Sequence, residues 1–105
     1  TVKVVEANVW DGATLTFGSN VTLLADLAQA YDTAVLKLNG VTLSENGSFP
    51  SITAEGDSIV EINNVDAISS ARIYSVGNGK VKISGGSGWN NSMFEEENSG
   101  NITVE

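Results

Sequence analysis

The stretch from Asn20 to Leu43 constrains the fold most, because its apolar period changes across Asp32-Thr33. Leu24, Leu27, Ala28 and Tyr31 fall at i, i+3, i+4 and i+7, one face of a helix. No Gly or Pro interrupts Val21 to Tyr31. Thr22 suits an N-cap, its hydroxyl accepting from a first-turn N–H, and Asp26 lies near the positive helix end. After Thr33, Ala34, Leu36 and Leu38 alternate with Val35, Lys37 and Asn39, which predicts a strand with one buried face. Asn39-Gly40 suits a type I′ hairpin turn that sets Leu38 opposite Val41 and Leu36 opposite Leu43. A helix this short is marginal alone, so it is expected to pack Leu27 against Leu36.

The flanks read as further strands. Val5, Ala7 and Val9, then Leu15 and Phe17, alternate with polar residues about the Asp11-Gly12 turn, and predict a hairpin over residues 2–18. A loop of odd length keeps both apolar sets on one face. Phe49-Pro50 is expected to anchor an irregular crossover, and Glu55-Gly56-Asp57 to turn into a strand at Ser58–Ile62. Asn78-Gly79 predicts another hairpin over 71–84, pairing Val76 with Val81 and Tyr74 with Ile83. A Gly/Ser connector at 84–88 then leads to a tail with a closing strand, Ile102-Thr103-Val104.

This order resembles the β-grasp (ubiquitin-like) fold, and within it the small sulfur-carrier proteins of thiamine and molybdopterin synthesis. The resemblance rests on Leu15-Thr16-Phe17 leading into Val21-Thr22 and Asp26-Leu27, on Ala34 to Val41 with its Leu38-Asn39-Gly40 turn, and on Glu55-Gly56-Asp57 before an apolar strand. It covers roughly residues 2 to 65. It implies an α+β domain: a mixed sheet with one packed helix over 1–66, extended by a C-terminal β-hairpin and tail strand over 67–105, all one domain. The carriers react through a free terminal Gly-Gly. Here the matching stretch, Asn64 to Ser70, has no diglycine, and Gly85-Gly86 is internal. The carrier chemistry lacks its reactive end.

Composition removes further classes. The 105 residues contain no Cys and no His, so thiolate chemistry, disulfides and the commonest general base are absent. A formal charge of −8 repels nucleic acid and anionic membranes. No apolar run approaches the ~20 residues a spanning helix needs, so no membrane insertion is expected. Glu95-Glu96-Glu97, with Asp57, Asp66 or Asp11, offers oxygen ligands but no Asp-x-Asp-x-Asp-Gly loop, so neither a metal nor a cofactor is expected. Scattered acids without a cleft signal do not argue for paired-carboxylate hydrolysis.

What remains is a protein that acts by binding. Trp89, Met93 and Phe94, with Ile102 and Val104, are candidate interaction residues, since Trp, Phe and Met are enriched at interface cores. Covering the chain's own core is the plainer use of the same residues. Trp10, beside the first turn, is a further candidate for protein or carbohydrate contact. The expected function is a non-enzymatic structural or protein-interaction module, for instance a viral (phage) coat or decoration subunit or another self-assembling surface protein, located on a virion or cell surface. The alternatives are a ubiquitin-like sulfur carrier or modifier with a hidden or lost terminus, and a small-ligand (carbohydrate) binding domain.

Overall fold

The computed structural model describes residues 2–45, 50–68, 70–89 and 92–105, with Ala25 and Asp26 described by their backbone alone. Among these residues the apolar alternation produces twelve strands and no α-helix. They are β1 (Val2–Val9), β2 (Thr14–Phe17), β3 (Val21–Ala30), β4 (Val35–Asn39), β5 (Thr42–Leu43) and β6 (Ser51–Ala54), then β7 (Ile59–Asn63), β8 (Asp66–Ala67), β9 (Arg72–Ser75), β10 (Lys80–Ser84), β11 (Met93–Glu96) and β12 (Asn101–Val104).

Every strand pairing among the described residues is parallel. One five-stranded sheet stacks β2, β4, β7, β10 and β12. In the other sheet, β6, β9 and β11 continue from the C-terminal half of β3, and β5 and β8 from its N-terminal half, while β1 lies along both. The chain therefore winds as five coils over 2–20, 21–41, 42–65, 66–86 and 87–105, each laid in register on the one before. This is a β-solenoid-like arrangement.

The register explains the core. Leu15, Leu36, Val60, Val81 and Ile102 occupy one column, at steps of 21, 24, 21 and 21 residues. Phe17, Leu38, Ile62, Ile83 and Val104 occupy the next inward column. Strand alternation points each set inward, and stacking places like positions one strand spacing apart, about 4.8 Å. Leu36, Leu38, Val60, Ile62, Val81 and Ile83 are consequently buried. On the second face Ala7, Ala28, Ile52, Ile73 and Phe94 form the matching column. Ser75 is the buried polar member of the column beside it: its hydroxyl donates to the Gly79 carbonyl and accepts from the Asn101 N–H at 2.9 Å, tying the fourth coil to the fifth.

The turns stack as well. Five four-residue turns close with an N–H to C=O bond, from Ala13 to Trp10, Ala34 to Tyr31, Ser58 to Glu55, Gly79 to Val76 and Gly100 to Glu97. Their second residues, Asp11, Asp32, Gly56, Gly77 and Asn98, all have positive φ, between 54° and 68°. Asp, Asn and Gly tolerate that region best. The turn residues do redirect the chain. They pass it to the next face of the coil instead of reversing it onto its neighbour.

The α+β β-grasp expectation is thus overturned, and the ubiquitin-like resemblance with it. The predicted helix over 22–31 is the strand β3, and Thr22 pairs with Lys3 and Thr42 instead of capping. A corner produced the misleading period. Pairing passes from Val4↔Leu23 to Glu6↔Leu27, so β3 spends three residues where β1 spends only Val5. That irregularity spaces Leu24, Leu27 and Ala28 like a helix face. The expected hairpins are also absent. β1 pairs with β3 and not with β2, β4 pairs with β2 and β7 and not with β5, and β9 and β10 lie in different sheets. Gly40 has positive φ but Asn39 closes β4, so no two-residue I′ turn forms there. Phe49 lies outside the described residues.

Candidate functional site

The end of the solenoid formed by the fifth coil differs from its body. Here Phe94, Ile102 and Val104 sit at inward column positions, yet nothing among the described residues stacks above them. Val104 is 61% exposed where Ile83, one coil earlier, is 1% exposed. Phe94 is 42% exposed against 0% for Ile73. Together with Glu96 these side chains line an open depression of about 330 Å³. Trp89 packs against the core from the preceding corner and meets Phe94 at a ring separation of 6.3 Å. Its indole N–H is buried without an acceptor among the described residues.

Backbone groups complete the site. Asn101 and Glu105 donate their N–H groups to Gly79 and Ile83, and Met93 and Glu97 donate to Ala71 and Ser75. In a parallel ladder the residues between them aim their N–H groups the other way. Ile102 and Val104 on β12, and Phe94 and Glu96 on β11, therefore present their amides to the outer edge. The Ile102 amide is already engaged: it donates to Glu96 Oε2 at 2.7 Å. An inward carboxylate has thus been placed over a sheet edge, one of the ways proteins blunt such edges.

The candidate residues separate accordingly. Trp89, Phe94, Ile102 and Val104 come together at this end. Met93 pairs with Arg72 and points to the outside of its sheet, 55% exposed. Trp10 belongs to the first coil, at the opposite end, where it stacks on Tyr31 with ring centroids 5.6 Å apart and planes 11° apart. Burial, and then the negative charges of Glu55 and Glu6, raise the Tyr31 hydroxyl above the ordinary tyrosine pKa of 10.0. The expected addition of Ile102-Thr103-Val104 to a sheet does occur, parallel to β10.

Among the described residues no group of three or more His, Cys, Asp or Glu side chains could hold a metal ion. Glu95, Glu96 and Glu97 follow one another along β11 and into its turn, so their side chains alternate in direction. Comparison of the chain with protein-family models, with curated proteins and with solved structures found no match. The sulfur-carrier alternative drew its support from the β-grasp resemblance and loses it with the fold. Glu96, in sequence one of three consecutive acidic residues, and Tyr31, on the face of the expected helix, are site members that local patterning does not single out. The signal that finds them is the 21-residue step, which aligns Glu96 with inward Ser75 and Tyr31 with Trp10.

Proposed function

We propose that the chain is a non-enzymatic structural or protein-interaction module, of the kind that serves as a coat, decoration or other surface subunit, and that its contact is the open end of the fifth coil. One observation carries this reading: among the described residues, Phe94 and Val104 stand exposed and Ile102 half-buried there, at column positions that are buried in the inner coils, beside two sheet edges. Exposed apolar surface next to unpaired strand edges favours covering by a further polypeptide segment, and a separate protein there is what the crosslink reads. The stacked coils supply a rigid support, since each inner strand is hydrogen-bonded on both sides. A photo-crosslinking residue at Thr103, compared with one at Lys37 in a middle coil, tests the reading in the native source. A discrete protein adduct from position 103 and none from position 37 is expected. No adduct from position 103, or equal adducts from both, overturns it.

A second reading rests on the other end. The exposed Trp10 ring, held flat on Tyr31, is a stacking surface of the kind that binds a pyranose ring. Titration of Trp10 fluorescence with oligosaccharides in a Trp89→Phe background tests it, and an unchanged spectrum across neutral hexasaccharides dismisses it.

A further inference from the structure

The narrow face of the solenoid, where the N-terminal halves of β1 and β3 run beside β5 and β8, differs from the rest of the surface in charge. Its outward column is Lys3, Thr22, Thr42, Asp66 and Ser87. Residues 2–5, 18–24, 40–44, 64–68 and 85–88 make this face and the turns leading into it. Lys3 and Asp66 are their only charges, in a chain of formal charge −8. The two lie three rungs apart, about 14 Å, so they do not meet within one chain. The Ser87 hydroxyl donates to Asp66 Oδ1 at 2.7 Å and holds that carboxylate in place. Val4, Leu23, Leu43 and Ala67 share an inward column, and Val5, Leu24, Ser44 and Ile68 follow them at the corner. Ile68 is 68% exposed, the most of any large apolar side chain among the described residues, and Val5 is 48% exposed. The fourth coil that carries Ile68 is bonded to the third through its N–H and to the fifth through the Asp66–Ser87 bridge, so this exposure is lateral. A coil added at either end would lengthen the face without covering it.

We propose that this face is the contact for a second copy of the chain, laid antiparallel about a two-fold axis that runs along the strands between the second and third coils. This goes beyond the contact proposed at the fifth coil and does not depend on it. The axis sets the first coil of one protomer opposite the fourth of the other, and the second opposite the third. Lys3 then meets the partner's Asp66, Thr22 the partner's Thr42, and Val5 the partner's Ile68, each contact occurring twice. Charge selects this arrangement over its neighbours. An axis through the second or third coil would set Lys3 opposite Thr42 or Ser87 and leave both charges unpaired. A parallel arrangement would set Lys3 on Lys3 and Asp66 on Asp66. Two copies of charge −8 repel each other, and least across a face whose own charges cancel. Four rungs by five residues present about 300 Å² per copy. A standard interface takes about 800 Å² from each partner, so the dimer is a weak one. Such contacts gain strength where subunits are already held close together.

Sedimentation equilibrium of the full chain up to about 1 mM reads the association. A monomer–dimer equilibrium is expected, and a monomer throughout overturns the proposal. Lys3→Glu and Asp66→Lys should each weaken the dimer about tenfold or more, since each turns two attractive pairs into two repulsive ones. An equimolar mixture of these two variants should associate about as well as the parent, because each supplies the charge that the other now needs. A mixture that associates no better than its components overturns the pairing. Ile68→Ser, at an exposed position, should keep the amide spectrum of the inner coils and weaken the dimer severalfold. Unchanged association of that variant puts the contact elsewhere and overturns the proposal as well. In a mixed-labelled sample, isotope-filtered NOEs are expected between the methyls of Val5 and Ile68, which lie about 14 Å apart within one chain. A dimer that lacks them overturns the antiparallel register.

Discussion

The third coil and the fifth are written in the same pattern and end in different environments. Val60 and Ile62 in β7 are inward and buried, while Ile102 and Val104 in β12 occupy the same columns and line an open depression. Nothing in the local sequence separates Ile59–Ile62 from Ile102–Val104 as strands. The difference lies in the neighbours above and below. In a stacked coil, burial belongs to the column more than to the residue, and a member covered on one side only, as Ile102 and Val104 are among the described residues, inherits part of it.

Truncating a column should therefore cost according to position. Leu36→Ala, with Leu15 below and Val60 above, is expected to lose about 2–5 kcal/mol in a denaturant melt. Ile102→Ala should lose about 1 kcal/mol or less, since part of that side chain already meets water. Equal losses would mean that the fifth coil is as well covered in solution as the second.

Close contacts between coils sharpen the same contrast. A Cβ at Gly79 would lie 2.4 Å from the Ala54 carbonyl oxygen, and one at Gly100 would lie 2.1 Å from that of Ser75. The static overlap is worse at Gly100, yet no described residue stacks on the fifth coil to resist displacement. Gly79→Ala is expected to destabilise the whole molecule by about 1–3 kcal/mol. Gly100→Ala should instead raise amide exchange locally in β12 and leave the global melt within about 1 kcal/mol of the parent. A global loss at Gly100 as large as at Gly79 would make the five coils one cooperative unit.

The same column logic explains what the sequence could and could not tell. Strands at Val35–Asn39, Ile59–Asn63 and Lys80–Ser84 were legible, because inward and outward residues alternate there without interruption. The turns at Asp11-Gly12 and Glu55-Gly56-Asp57 were legible because their residues accept positive φ or begin tight turns, while the turn expected at Asn78-Gly79 is centred one residue earlier, on Gly77-Asn78. Pairing was not. A β-turn fixes where a chain bends, and the Val76–Gly79 turn bends it equally well toward a hairpin partner or toward the next face of a coil. The information that decides is the 21-residue step, visible only when Leu15, Leu36, Val60, Val81 and Ile102 are aligned, and broken once by a 24-residue coil. At the site, apolar composition singled out Trp89, Phe94, Ile102 and Val104. Their sharing one end of the molecule depended on that pairing.

The turns after the five-stranded sheet provide a smaller effect. Gly40, Asn64 and Gly85 follow β4, β7 and β10 with φ of 72°, 52° and 67°. A side chain at Gly40 would strain this backbone and meet Ser19 Cβ at 3.3 Å. Gly40→Val should cost on the order of 1 kcal/mol or more in a denaturant melt, because a β-branched residue resists positive φ. Asn64→Gly, which relaxes the same conformation one coil later, should cost only a few tenths of a kcal/mol in either direction. If Gly40→Val melts like the parent, the turn column is not setting the coil geometry.

The smallest effect concerns the two ends. At the first residue of the stacked turns, Tyr31 lies under Trp10 at one end of the column, and Glu97 stands at the other. Tyr31 has its pKa raised, first by desolvation and then by Glu55 and Glu6, so the folded chain holds this proton more tightly than the unfolded chain. Its contribution to stability is therefore full below the unfolded value of about 10 and is lost as pH rises through the higher folded value. Ultraviolet titration of the phenolate in a Tyr74→Phe background should place the midpoint above that of free tyrosine. Trp10→Ala should bring it down, by uncovering the ring. Glu55→Gln should bring it down less, because it removes one charge and leaves the cover in place. If Trp10→Ala leaves the midpoint where it was, the aromatic stack is not what shields Tyr31, and Trp10 is as bare as the apolar residues at the far end.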